Sequence, residues 1–524
     1  IASHPLLISR PSPHQHSVVD FYNFTSSQFC LRRNRRPHST RDIIIIKNSE
    51  YIWTFKMTSI LHEIVDKFIE TPQEAIKELV AARPDDDDPI CIGDLGDIIK
   101  KFNIWKMKLP RVEPFYAVKC NNDMTVLTLL AHLGTGFDCS SKEEIRKVLS
   151  LNVHPSRIVY AHPCKQKSHL EFAKRNNVNL TVFDNEEELR KIKAIHPHAN
   201  VLLRIMPPPT KKVVIQFGNK FGCDVRDARR LLVLAKELDV NVVGVSFHVG
   251  YGCYDGDAHA ATVASSREVF DIGSSLGFRF NLLDIGGGFP GKTSAKISFD
   301  EICSVLGPAL DKHFPAERGV RIISEPGTFF VESAFTIASN VIAKRQTYRD
   351  EFVGSPSMAN QRTTNASTTS SSITGLSTPS ASTPETAEND ATKFMYYVND
   401  GAYMSFISYL WVEVPEIPPE PLNPVAADGP EFKSTIWGPT CDSLDIVMPN
   451  VTLPELEIGS WLLFRDMGAY SIGLATNFND MPHPRRHYIC QEAYRTEKFE
   501  KNSRNLSCYK NPEDESFDDE DVSN

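Results

Sequence analysis

Between residues 114 and 335 one pattern recurs eight times: a short apolar, β-branched run, then a charged stretch of helical period. The runs are 114–118, 136–140, 157–161, 180–184, 200–205, 242–249, 281–287 and 321–327. Segments of helix length lie between them, among them 141–151, 165–176, 185–195, 224–238 and 299–313. Eight βα units in about 220 residues fit a closed (β/α)8 barrel, whose usual size is ~250 residues. An open doubly wound sheet is the alternative; it needs a strand-order switch that no sequence feature marks.

The flanks read differently. Residues 1–56 are rich in Ser, His and Arg, lack either period, and contain no methionine, so a disordered leader or upstream sequence is expected there. In the segment 57–113, expected to join a second domain, Ile60, Leu61, Ile64, Val65 and Phe68 share a helical face behind a candidate N-cap, Ser59. Beyond 335 the alternation stops. Short β-rich runs at 394–398, 433–437, 461–464 and 487–490 lack intervening helices and predict an antiparallel β domain over 336–500. A Ser/Thr-rich insertion at 350–392 interrupts it, too poor in aliphatic side chains to offset its ordering entropy. The end, 501–524, reads as an acidic tail, with seven acids and no base after residue 510.

Charge and cysteines narrow the class. Fifty-seven basic against sixty-six acidic residues leave −9, a balance that argues against nucleic acid as the main partner. Eleven dispersed cysteines without a C-x-x-C pair point to reduced cytoplasmic thiols, not a disulfide framework or a metal site. No apolar run approaches the ~20 residues of a membrane span.

A barrel of this kind carries its chemistry where its strands end. Lys119 follows the first run, and Asp138, His162, Asp184 and Arg204 follow or end the next four. His248 ends the sixth, Gly286, Gly287 and Gly288 the seventh, and Glu325 the eighth. A triple glycine lets backbone N–H groups approach a phosphate, and the loops after strands seven and eight are the usual phosphate site of the fold. Lysine forms Schiff bases with carbonyl compounds, and pyridoxal phosphate needs that lysine plus an acid for its ring nitrogen. Glu325 is the candidate acid, and His248 a candidate for the ring face. Each residue has a plainer reading: a solvated loop cation for Lys119, a turn for the glycines, and a structural ion pair for Asp138 and Arg204.

Six strings sharpen the choice: Pro-Phe-Tyr-Ala-Val-Lys-Cys-Asn (114–121), Gly-Phe-Asp-Cys-Ser (136–140), Val-Gly-Val-Ser-Phe-His-Val-Gly (243–250), Leu-Leu-Asp-Ile-Gly-Gly-Gly-Phe-Pro-Gly (282–291), Tyr-Val-Asn-Asp-Gly (397–401) and Trp-Gly-Pro-Thr-Cys-Asp (437–442). Together they resemble the eukaryotic ornithine decarboxylase family from about residue 57 to 490, apart from the insertion. The resemblance implies an alanine-racemase-like barrel, pyridoxal 5'-phosphate as cofactor, and a head-to-tail homodimer with shared active sites. It implies decarboxylation of L-ornithine to putrescine, in polyamine biosynthesis. Lys119 matches the Schiff-base lysine, Glu325 the acid at the pyridine nitrogen, and His248 the histidine on the ring. Asp138 and Arg204 match residues around the cofactor, and Gly286 to Gly288, Pro326, Gly327 and Tyr470 its phosphate surroundings. Cys441 resembles the second subunit's proton donor, Asp442 the acid that holds the distal amine, and Lys220 with Asp445 a cross-dimer ion pair.

The chain also departs from the family. Tyr251 stands where the family has Ser, and Thr328 where it has Arg, both in the phosphate cup. Loss of an arginine fork removes a charge-assisted bond worth ~1.5–3 kcal/mol. Trp411 and Val412 replace a Tyr-Asp pair whose acid helps hold the substrate's distal ammonium, with Glu413 next in line. The alternatives are a decarboxylase of another basic amino acid and a non-catalytic paralogue similar to the antizyme inhibitors, which bind antizyme.

Overall fold

A computed structural model describes residues 60–292, 294–347, 394–410, 417–423 and 429–491. The leader, the insertion, the acidic tail and the Trp411, Val412 and Glu413 positions lie outside the described residues.

Eight parallel strands close into a barrel: β1 (Val112–Ala117), β2 (Gly136–Cys139), β3 (Ile158–Tyr160), β4 (Leu180–Phe183), β5 (Asn200–Ile205), β6 (Asn241–Phe247), β7 (Leu282–Asp284) and β8 (Arg321–Ser324). Each of the eight apolar runs overlaps one of them, and the ring closes with Arg321 opposite Leu282 and Ile322 opposite Val112. The runs at 242–249, 281–287 and 321–327 outlast their strands by two or three residues. The excess is loop because glycine and proline end the ladder: Gly286 and Gly288 take positive φ, and Pro326 has no N–H to donate.

Local sequence starts and stops the outer helices. Asp123 caps helix Met124–Leu133 through the N–H groups of Thr125 and Val126, and Gly134 ends it at φ +92°. Ser141, Asn185 and Ser298 cap the helices Lys142–Ser150, Glu186–Ile195 and Phe299–His313. A hairpin of Val213–Ile215 with Tyr251–Cys253 stands apart from the βα repeat and falls outside the sequence expectation.

The second sheet is mixed where the sequence suggests an antiparallel one. Its order is Lys67–Phe68, Arg485–Cys490, Ile90–Asp94, Phe335–Gln346, Phe394–Val398, Glu431–Trp437, Ile446–Pro454. Arg485–Cys490 runs parallel to both its neighbours, and Phe394–Val398 runs parallel to Glu431–Trp437. Short runs read alone carry no strand direction; the long returns through the barrel set it. The amphipathic face of 60–68 also divides: residues 60–64 are helical, whereas Phe68 pairs in a strand with Cys490.

Trp105, on helix Leu95–Lys108, supports two loops of the barrel mouth at once. Fully buried, it packs against Phe289 after the triple glycine and against Phe329 and Phe330 after β8, with centroids at 5.1, 5.5 and 6.1 Å. Its indole N–H donates to Val112 O at 3.0 Å. Trp105→Ala should therefore cost about 3–5 kcal/mol in urea unfolding; a loss below about 1 kcal/mol would show that the cluster collapses without cost.

Candidate active site

Lys119 leaves the barrel on the turn Val118–Cys120 that follows β1. Its ammonium bonds Asp138 on β2, whose side chain is fully buried, while the lysine side chain stays 36 % exposed to the mouth. Burial opposes charge on Lys119, but Asp138 and Glu325 outweigh it and raise the ammonium above the ordinary lysine range.

Glu325 follows β8 directly. Its N–H donates to Gly286 O at 2.7 Å and the Ser324 hydroxyl to the same oxygen at 2.7 Å, so β8 and the glycine loop are locked together. Burial first, then the charges of Asp138 and Asp284, raise Glu325 well above the carboxylate range. Asp284, the last residue of β7, is fully buried and takes the Gly286 N–H at 2.9 Å; burial pushes it up to about 7. Asp138 Oδ1 and Asp284 Oδ2 are buried without a hydrogen-bond partner. Asp284 was readable in the sequence as the acid just before Ile-Gly-Gly-Gly, but its place in a strand gave it the look of a core position.

His248 follows β6. Burial, then Arg204, hold its imidazole neutral, well below the usual range. Nδ1 accepts the Gly250 N–H at 3.0 Å, so the proton sits on Nε2. A Cβ added at Gly287 would lie 2.9 Å from that Nε2 and 2.8 Å from Glu325 O, and one at Gly286 would meet Phe247 O at 2.1 Å. Only bare backbone fits between the histidine and the acid. Beneath it, the buried His259 holds Gly287 O at 3.2 Å and stacks on Phe289; burial pushes it down to about 4. Beside His248, the ring edge of Phe217 at 4.9 Å borders a cavity of about 410 Å3.

The structure thus brings Lys119, Asp138, Arg204, His248, Gly286, Gly287, Gly288 and Glu325 to one mouth. Pro326 O accepts the Ala117 N–H, and a Cβ on Gly327 would strike Cys120 at 2.7 Å. Tyr470, from the second domain, reaches the same corner through its N–H to Cys120 O at 2.9 Å. Cys441 and Asp442 sit elsewhere, on the loop between Glu431–Trp437 and Ile446–Pro454. Cys441 is exposed beside Asn479, and Asp442 accepts from the Tyr403 hydroxyl, which holds its carboxyl below the usual range. Asp445, expected to pair with Lys220 across a dimer, is 1 % exposed in the single chain and accepts the N–H groups of Ala402 and Thr440. His162 and Asp184 do local work, accepting the N–H groups of Cys164 and Gly222.

Residues 95–332 match the family model of the pyridoxal-dependent decarboxylase, pyridoxal binding domain. Rat ornithine decarboxylase is 44 % identical over 77 % of this chain and 81 % of its own length. Antizyme inhibitor 2 of Xenopus laevis is 42 % identical over 80 % and 85 %. Among solved structures, the Paramecium bursaria Chlorella virus arginine decarboxylase superposes with a TM-score of 0.68 at 32 % identity, covering 80 % of this chain and all of that one. The lysine/ornithine decarboxylase from Vibrio vulnificus complexed with cadaverine gives 0.64 at 26 %, covering 80 % and 99 %.

Pyridoxal phosphate is the cofactor of these proteins' family, and the donor set at the ring end fits it. An amine, a proton-holding carboxyl pair with an orphaned oxygen, a neutral histidine and a side-chain-free glycine floor converge there.

The acid pair has a measurable consequence. An acid whose folded-state pKa is raised stabilises the protein below its unfolded value, near 4, and loses that contribution as pH climbs towards about 7. Without cofactor, unfolding stability should fall between pH 4 and 7, and Asp284→Asn should flatten that fall. Equal unfolding free energies from urea titrations at pH 5 and pH 8 would show that Asp284 carries no such penalty.

Proposed function

The chain belongs to the ornithine decarboxylase family of pyridoxal-dependent amino-acid decarboxylases, and we propose that it decarboxylates L-ornithine to putrescine. The observation that carries this reading is Lys119, an amine held charged between Asp138 and Glu325 at the open end of the barrel. When bound, pyridoxal phosphate supplies the electron sink for the pair left behind as CO2 departs.

The chain's own residues divide the remaining work. Lys119 would anchor the aldehyde end. Glu325, raised by burial, would hold a proton for the ring nitrogen. Neutral His248 would cover the ring without adding charge there. Arg204 offsets part of the carboxyl charge. Gly286 to Gly288 and Tyr470 line the phosphate end.

Cys441 would act from a second copy of the chain, its thiol giving a proton to Cα after CO2 has left, and would be reprotonated by water. Asp442, kept ionised by the Tyr403 hydroxyl, attracts the distal ammonium of the substrate. The working unit is then a cytoplasmic homodimer. Among the described residues no helix is long and apolar enough to cross a membrane.

A second reading has its own observation. Thr328 and Tyr251 alter the phosphate cup, and antizyme inhibitors stand among the relatives at 42 % identity. In that reading the barrel is a regulatory surface for antizyme.

Labelled ornithine and lysine separate the readings. Released CO2 should be greater from ornithine, and Cys441→Ala should lower it roughly 100-fold. Mixing Lys119→Ala with Cys441→Ala protein should recover activity, because a mixed dimer holds one intact site. Absence of CO2 from every basic amino acid, together with tight antizyme binding, would establish the regulatory reading instead.

A further inference from the structure

The far end of the site, away from Glu325, has a chemistry of its own. A ring of contacts closes around it. A Cβ on Gly288 would lie 2.6 Å from Val249 and 3.1 Å from Gly250 O, next to Tyr251. The Tyr251 ring stands edge-on to Tyr470 at 5.3 Å. Tyr470 N–H holds Cys120 O, and Cys120 lies against Gly327 and interacts with the Thr328 hydroxyl. Thr328 O in turn lies 2.3 Å from where a Cβ on Gly291 would stand, which returns the ring to the glycine loop. Within this ring Tyr251, Tyr470 and Thr328 are half-buried, each with a hydroxyl and none with a charge.

The cations that approach this corner are otherwise engaged. Lys101 donates to Gly291 O and lies over the Phe329 ring, and Lys292 is 4.0 Å from Glu332. The group that does reach inward is an acid. Glu332, one turn beyond Thr328 and 8 % exposed, takes the N–H groups of Gly291 and Lys292 at 2.9 and 3.0 Å. It consumes two backbone donors of the glycine loop that would otherwise be free for an anion. Burial, then Glu332, push the Tyr251 phenol up, so the phenol stays protonated as a donor.

Among the described residues, a dianion placed here meets hydroxyl donors, one carboxyl and no guanidinium. We propose that the phosphate end of this site binds through neutral donors alone, the Thr328, Tyr251 and Tyr470 hydroxyls with the glycine-loop amides. The chain therefore discriminates little between pyridoxal phosphate and its dephosphorylated aldehyde, pyridoxal. The inference rests on the proposed cofactor site and adds its ligand selectivity.

Calorimetric titration of the full chain with each aldehyde measures that selectivity without needing Lys119, and absorbance at the visible edge reports capture by Lys119. The two affinities should lie within about tenfold. Thr328→Arg should tighten pyridoxal phosphate by roughly 10- to 100-fold, the worth of one charge-assisted fork, and leave pyridoxal unchanged. Glu332→Gln, which keeps an oxygen for the Gly291 and Lys292 amides, should act in the same direction if the arginine variant does not fold.

A preference for the phosphorylated form of a hundredfold or more in the unmodified chain overturns the proposal. So does a gain in Thr328→Arg or Glu332→Gln that is equal for both ligands. Heat with both ligands but no visible band removes Lys119 as the anchor and leaves the selectivity standing. Absence of heat with either ligand overturns the selectivity and the cofactor site together.

Discussion

Three buried carboxyl groups and two cations share one barrel mouth, and the site is the solution to that electrostatic problem. Asp138, Asp284 and Glu325 cannot all ionise beside Lys119 and Arg204 in a low dielectric. The energetic outcome is that burial raises Asp284 and Glu325, Asp138 and Glu325 raise Lys119, and burial with Arg204 lowers His248. Each of these groups comes from or just after a different strand, so the charge balance exists only once the ring of strands has closed. Closure and chemistry are therefore one event, which is why the barrel's register matters more to this site than any local motif.

The shape of the floor follows from the same closure. Gly286 and Gly287 pass so near His248, Phe247 and Glu325 that a methyl group on either would strike backbone or ring. Their N–H and C=O groups are fixed from three sides by Asp284, Ser324 with Glu325, and His259. Aromatic packing around Trp105 then couples this floor to the turn after β8. The ring end is consequently rigid and charged. The opposite end is built from hydroxyls on three separate elements, and its selectivity is open to substitution without disturbing the core.

The eight strands were legible because a parallel strand buried on both faces is a nearly continuous apolar run, and the helices between them carry explicit caps. Lys119, His248 and Glu325 were legible because each stands at or just past the end of such a run. Asp284 was not, since a strand-terminal acid looks alike whether it is structural or shares a proton; only the orphaned oxygen and the neighbouring Glu325 distinguish the cases. His259 and Glu332 sit inside helical segments, where sequence shows a face and not a partner. The mixed direction of the second sheet was invisible for a related reason: direction is decided by where long connections return, and Arg485–Cys490 pairs with strands nearly four hundred residues earlier.

The loop that carries Cys441 and Asp442 is braced from within its own chain. Side chains that are to serve a neighbouring mouth, as proposed for these two, need a conformation that does not depend on that mouth. Asp445 supplies it. Its carboxylate gathers the Ala402 and Thr440 amides, and it lies so close to Gly401 and Gly438 that a Cβ at either would come within 2.3 and 2.1 Å of its oxygen. On the other side, Asn479, held at φ +57°, offers its amide oxygen to the Cys441 thiol and N–H. Cys441 is thereby fixed within the single chain, so that the homodimer proposed above would lose less conformational entropy on association.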